Sequence, residues 1–364
     1  MDTGSRSDPV EELYDARVRG AAVIGTAAAR RVHLHGGCWL APVGDDPPRL
    51  MVAFPKEFEG ADIVTSSGVF AVGITAAERP AVLGALFEGR PPVTDASRHL
   101  FLRTPNGAAV PASSVAYFDL RLARSVDLGD FLLAIGDVTG AAVLNPSYHN
   151  LTVNEIIAEA DPRGEKEAFL PFQGFDYDLS RLALAPAEAV GPERFEEIYA
   201  RRAWGMFFVS VAHQGRAHHH LGSWMVQVSH APPRMAVAFR KGWESAAWVE
   251  AGAPFAMTLL ARDQEDVVRA LAGSPEDPSR LRGDLMLVQD GLAVLESGVA
   301  YFVCRPESTL DLGEVVLAIA TVEEYSWLRR EAANLTEEGA AAIAGTAWTE
   351  PGRGFPASEL TLAI

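Results

Sequence analysis

The chain has 364 residues, of which 48% are hydrophobic and 22% charged, with a formal net charge of −17. That length exceeds what one hydrophobic core usually serves, so two domains are expected. The acidic balance argues against a nucleic-acid or anionic-membrane partner, either of which needs a basic face, and no apolar run approaches the roughly 20 residues of a membrane span.

Residues 1–17, MDTGSRSDPVEELYDAR, are polar and acidic and lack the apolar core of a signal peptide. AAVIGTA (21–27) is a β-branched, apolar run of strand length. Next comes HLHGGCWLAPVGDDPPRLMVAF (33–54), where His33 and His35 are two apart and would project from one face of an extended chain. RLMVAF reads as a strand, and the Pro-Pro before it must lie outside the ladder, because proline has no N–H to donate. GADIVTSSGVF (60–70) predicts a short helix, a glycine turn and the start of a strand. Val82, Ala85 and Leu86 carry helical spacing. VAYF (115–118) and DLGDFLLAIGDV (127–138) outline a hairpin.

From residue 196 the same order returns. Glu11–Leu86 aligns on Glu196–Leu271 without a gap, and more than a third of the positions are identical. HLHGGCWL meets HHHLGSWM, and PPR (47–49) meets PPR (232–234). One residue is then dropped, after which VAYF recurs at 299–302, DLGEVVLAIATV at 311–322 and Asn-Leu-Thr at 334–336. Two homologous domains follow, 11–158 and 193–345, with a connector at 159–192 and a C-terminal arm at 346–364. The period is too long for a solenoid. Strands predominate, so the expected class is mainly β with added helices. Pro171-Phe-Gln-Gly-Phe-Asp-Tyr177 and a fainter echo, Arg353-Gly-Phe-Pro356, read as arms that cross to the opposite domain, cover a cleft or staple the interface. Cys38 and Cys304 suggest no disulfide framework, which fits a reducing cytoplasm. The two Asn-Leu-Thr triplets match a glycosylation acceptor, read as incidental without a secretory signal.

The order strand, W-x-x-x-V-x-x-x-P-P, strand, helix, strand, helix, then D-L-G-D/E with an apolar strand resembles the flavin reductase-like family of FMN-binding split barrels. The resemblance implies two tandem split β-barrel domains forming an intrachain pseudo-dimer. It also implies a flavin-dependent oxidoreductase exchanging hydride between FMN (FAD less readily) and NAD(P)H or an organic substrate at the interface of the repeats. Gly222, Ser223, Trp224, Gln227, Val228 and Ser229 would cradle the flavin. Lys241 and Ser245 would meet its phosphate ahead of a helix N-terminus, a place that favours anions. Trp39 and Lys56 are the first-repeat counterparts of Trp224 and Lys241. Cys38, Gly44, Gly60 and Arg79 stand where the second repeat has Ser223, Ser229, Ser245 and Gln264, so the first repeat reads as degenerate and one flavin per chain is expected. The family's G-D-H histidine is Phe131 in one repeat and Val315 in the other, a departure that bears on the nicotinamide half of the reaction.

His33, His35, His218 and His220 have three open readings: catalytic donors or acids near flavin or substrate, structural residues, or ligands of a metal gathered by pseudo-two-fold symmetry. Trp39 and Trp224 suit a core or interface as well as a flavin wall, and Lys56 and Lys241 suit solvated strand ends. The alternative function is a non-redox ligand-binding module or a histidine-metal enzyme on the same scaffold. Partners would be a small-molecule substrate and a monooxygenase, with the chain a monomeric pseudo-dimer or a homodimer.

Overall fold

The computed structural model describes residues 19–29, 31–87, 98–152, 155, 174–178, 184–187, 204–272, 283–344 and 360–363. They fall into two compact units, one holding Arg19–Pro42 and the chain from Asp46 to the second repeat, the other Val43–Asp45 and the chain from Trp204 onward.

The first repeat runs β1 (Ala22–Ala28), β2 (Arg31–Gly37), β3 (Leu40–Asp45), β4 (Pro48–Pro55), helix α1 (Glu59–Ser67), β5 (Val69–Ile74) and helix α2 (Ala81–Phe87). Short strands β6 (Phe101–Arg103) and β7 (Ala109–Pro111) lead to the long hairpin β8 (Ala116–Asp127) and β9 (Phe131–Val143), followed by β10 (Gly174–Asp178) and β11 (Ala185–Pro186). The second repeat runs β12 (Phe207–His213), β13 (Arg216–Gly222), β14 (Met225–Ser229), β15 (Arg234–Arg240), helix α3 (Glu244–Glu250), β16 (Phe255–Leu259) and helix α4 (Glu265–Ala272). β17 (Leu285–Leu287), β18 (Ala293–Leu295), β19 (Ala300–Asp311), β20 (Val315–Trp327), helix α5 (Glu337–Ala344) and β21 (Leu360–Ala363) complete it.

Each repeat builds one eight-stranded sheet. The orders are β10-β2-β1-β5-β8-β9-β4-β3 and β21-β13-β12-β16-β19-β20-β15-β14, the same topology strand for strand. The expected mainly β class is therefore observed. β1 and β12 are buried on both faces over nearly their whole length, which is why AVIGTA and FFVSVA are continuous apolar runs and not alternating ones. Cores match as well. Phe54 meets Phe70 edge-on at 5.7 Å, and Phe239 meets Phe255 edge-on at 5.1 Å. Each fully buried aromatic of this kind contributes about 1.5–3 kcal/mol.

The turns repeat too. α1 ends where Gly68 takes φ 71° and its N–H returns to the Val64 carbonyl, as the glycine in the sequence predicts. In the DLGD and DLGE turns, Gly129 and Gly313 both have φ 93°, and their N–H groups donate to Asp127 and Asp311 Oδ1 at 2.9 Å. β15 begins after its two prolines; Pro48 is the first residue of β4, a position that needs no donated ladder bond. The triplet asparagines tie strand ends together. Asn334 Nδ2 donates to the carbonyls of Met206 and Leu260, and Asn150 Nδ2 to those of Ala21 and Thr75.

The described parts of the connector and of the C-terminal arm pair with strands of the repeats they follow. β10 pairs antiparallel with β2, and β11 pairs with β6. β21 pairs with β13 in equivalent register, Asp178 opposite Arg31 and Ala363 opposite Arg216. Without these strands β2 and β13 would each end a sheet with a row of unpaired N–H and C=O groups, and pairing within the unit satisfies them. Residues 171–173 and 353–356 of the two echoing segments lie outside the described residues.

Candidate functional site

β13 carries three consecutive histidines on a strand, so His218 and His220 share one face and His219 takes the other. The rings of His218 and His220 are 5.5 Å apart, and those of His33 and His35 on β2 are 5.4 Å apart, so the predicted pairing holds in both repeats. All five imidazoles are buried. They pack in aromatic nests: His220 edge-on to Trp243 at 4.9 Å and to Phe239 at 5.9 Å, His35 edge-on to Phe54 at 5.4 Å, His219 stacked on Phe208 at 5.1 Å.

Burial sets their chemistry. Desolvation, with a smaller contribution from His33, holds His35 well below the ordinary imidazole range, and desolvation with His218 and His219 does the same for His220. His218 falls to about 4 through desolvation, only partly countered by Glu244, and His219 falls to about 4 through desolvation and His218. At neutral pH His35, His218, His219 and His220 are uncharged rings that can exchange hydrogen bonds but cannot neutralise an anion. Among the described residues no group of three or more His, Cys, Asp or Glu is arranged to hold a metal ion.

β13 ends at Gly222, where a Cβ would stand 2.4 Å from Phe207 Cε2, so only glycine lets the strand turn away there. The chain then passes through Ser223 and Trp224, held by N–H bonds from Met225 to the Ser223 carbonyl and from Ala238 to the Trp224 carbonyl, both 3.0 Å. This bend brings together a cleft whose lining includes His220, Gly222, Trp224, Arg240, Trp243 and Val315. Its cavity volume is about 20 Å³. That holds one water and no aromatic ring, so a planar ligand would have to lie against its mouth.

Of the residues expected to bind flavin, Gly222 and Trp224 line this cleft, and so does His220. Ser223, Val228, Ser229 and Ser245 are fully buried, and the Ser229 and Ser245 hydroxyls have no hydrogen-bond partner. Gln227 is buried with Nε2 3.1 Å from His230 Nδ1. Lys241 Nζ stands 2.5 Å from Asp311, and Lys56 Nζ 2.9 Å from Asp127, so in both repeats the lysine holds the aspartate of the DLG turn. Trp39 is buried and meets Phe131 edge-on at 5.3 Å. Sequence reasoning missed Arg240 and Trp243. Their signal was the repeat alignment, which sets them opposite Pro55 and Phe58.

A larger cavity of about 230 Å³ in the same unit is lined by Asp263, Gln264, Asp266, Asp284, Ser297 and Arg329. Three carboxylates against one guanidinium, itself clamped by Asp263 at 2.7 and 2.8 Å, repel an anion. The smaller cleft, with its indoles and its arginine, suits an anion-bearing planar molecule better.

Comparison with known proteins identifies the family. A family model described as the flavin reductase like domain matches twice, over residues 17–154 and 200–338. Similar solved structures include the NADH:FAD oxidoreductase SgcE6 of Streptomyces globisporus C-1027, 18% identical, covering 43% of this chain and 95% of its own, with a TM-score of 0.38. The styrene monooxygenase flavin reductase SMOB of Pseudomonas putida S12 is 24% identical, covering 39% of this chain and 91% of its own, TM-score 0.35. An FMN-binding protein of Thermus thermophilus is 17% identical, covering 40% and 82%, TM-score 0.34. No curated protein matches.

Proposed function

The chain belongs to the flavin reductase-like family through both of its repeats, and from that premise we propose that it is a flavin-dependent oxidoreductase whose working flavin is held by the second repeat. The observation that carries this reading is the cleft where Gly222, Trp224, His220, Trp243 and Arg240 meet. The residues present fit such a cofactor: two indoles for a planar ring, a guanidinium for its negative charge, and buried Ser229 and Ser245 hydroxyls and a His220 Nδ1 that lack partners. Flavin, when bound, supplies the centre that accepts or gives a hydride.

The chain's own contribution is position and electrostatics. Gly222 makes room for the Phe207 ring at the turn that carries Trp224 to the cleft, and Trp224 and Trp243 exclude water from the face they cover. His220 stays neutral, so its ring can donate or accept one hydrogen bond without adding charge that would bias a hydride's path. Phe131 and Val315 provide no imidazole where the family often has one. The reading therefore favours a specialised organic substrate over efficient NAD(P)H turnover; the preference for FMN over FAD rests on the family resemblance alone.

The test is the absorption spectrum of the purified protein, followed by anaerobic reduction with NADH and then with candidate substrates. A yellow protein that bleaches under reductant is expected. Colourless protein that takes up neither FMN nor FAD on titration would end the proposal. Ser245→Asp, which places a like charge near the cofactor, should abolish flavin retention.

A further inference from the structure

Arg240 and Val315 face each other across β15 and β20, and in the first repeat the facing pair is Pro55 and Phe131 across β4 and β9. The two pairs occupy the same register of the same topology, yet they differ in both charge and volume. Val315, nearly fully buried, lines the cleft together with Trp224. Phe131 is equally buried, and its larger ring meets Trp39, the counterpart of Trp224, edge to face at 5.3 Å. Arg240 brings a guanidinium to the cleft with its side chain 33% exposed, and its ion pair to Asp45 is long, at 3.8 Å. Pro55 has neither charge nor donor.

We infer that the cross-strand pair Arg240 and Val315 makes the second-repeat cleft a site for the negatively charged group of a planar aromatic ligand, and that Pro55 and Phe131 disable the same site in the first repeat. The inference rests on the flavin reading above and adds what sets occupancy and charge preference. A guanidinium pairs an anion through two parallel N–H bonds, which a lysine already holding a carboxylate does not offer. The phenyl ring of Phe131 occupies the face a flat ligand would use.

The full-length protein is titrated with FMN and with riboflavin, the same ring without phosphate, using equilibrium dialysis for stoichiometry and protein fluorescence for affinity. Wild-type protein is expected to take one FMN per chain and to prefer it to riboflavin. Arg240→Ala should weaken FMN about tenfold or more while weakening riboflavin far less, and Arg240→Lys, which keeps the charge without the fork, should restore part of the preference. Val315→Phe should abolish binding of both compounds with thermal unfolding still cooperative. Pro55→Arg with Phe131→Val should add a second equivalent of FMN.

Flavin binding by the wild type that survives both Arg240→Ala and Val315→Phe overturns this inference and leaves the oxidoreductase reading standing. A wild type that binds neither compound overturns that reading and this one together. Stoichiometry that stays at one in the double variant overturns the account of the first repeat.

Discussion

At the end of the histidine strand the first repeat carries Gly36-Gly37-Cys38-Trp39 and the second Leu221-Gly222-Ser223-Trp224, and the backbone treats them alike. Leu40 and Met225 donate to the carbonyl two residues back at 3.0 Å, and Ala53 and Ala238 donate to the tryptophan carbonyl at 2.8 and 3.0 Å. The side chains around this shared bend differ: Phe58 against Trp243, Pro55 against Arg240, Phe131 against Val315, Gly60 against Ser245. Register and core pairs have to be kept, because a slip of one residue would turn every strand inside out. Register does not constrain the cleft side chains in the same way, and they have diverged. Duplication kept the scaffold twice, while the side chains of the second-repeat cleft have different counterparts in the first.

The largest expected separation of the two halves comes from the tryptophans. Trp224→Ala and Trp39→Ala each remove a buried indole and should cost about 3–5 kcal/mol by urea unfolding. Only Trp224→Ala should also remove flavin binding, and equal loss in both variants would erase the distinction.

Acid should part the repeats next. His218 and His219 have folded pKa values of about 4 against an ordinary 6.5. The unfolded state therefore binds protons first, and stability falls as pH drops from 6.5 towards 4, by about 3 kcal/mol for each ring. His35 acts in the same direction in the first repeat, but buried Asp119 there is pushed up to about 6 by desolvation. Its folded form takes a proton before the unfolded one, so relief of its charge returns about 3 kcal/mol as pH falls from 6 to below 4. Hydrogen exchange resolved by repeat should show the second losing protection first on going from pH 7 to 4.5. First-repeat loss ahead of it would contradict the assignment.

Smaller effects follow. At Gly60 a Cβ would lie 2.8 Å from His33 Cδ2, so Gly60→Ser, which copies the second repeat, should cost about 1–3 kcal/mol in thermal unfolding. Ser245→Gly should cost less, because nothing there is overpacked by its removal. Smallest are Lys56→Ala and Lys241→Ala. Both side chains are about a third exposed, so each should cost under about 1 kcal/mol. A fall in FMN affinity with Lys241→Ala alone would return a phosphate role to that lysine.

Much of the scaffold could be read from the chain. The ungapped match of 11–86 on 196–271 gave the duplication, and β-branched runs, the glycine after α1 and the DLG turns gave the elements in order. β10 and β21 escaped because short edge strands carry no alternation of their own. The aromatic echo between 171–177 and 353–356 also pointed away from their true register. For the site, spacing placed His218 and His220 on one face but could not say that the face was interior. Gly222 and Trp224, which line the cleft, were named through the family resemblance, since their spacing alone does not mark a strand end as a binding place. Arg240 and Trp243 were not, because a lone arginine at a strand end looks like any solvated cation until its cross-strand neighbour is known.

The strands that follow each repeat have a practical consequence at the C-terminus. β21 supplies only four residues, yet it is what covers the outer backbone of β13 from Arg216 to His219. Protein shortened before Leu360 would bare that row of amides beside the histidine nest. Such a variant should self-associate through strand-to-strand docking as its concentration rises, while its first repeat, still capped by β10, stays intact.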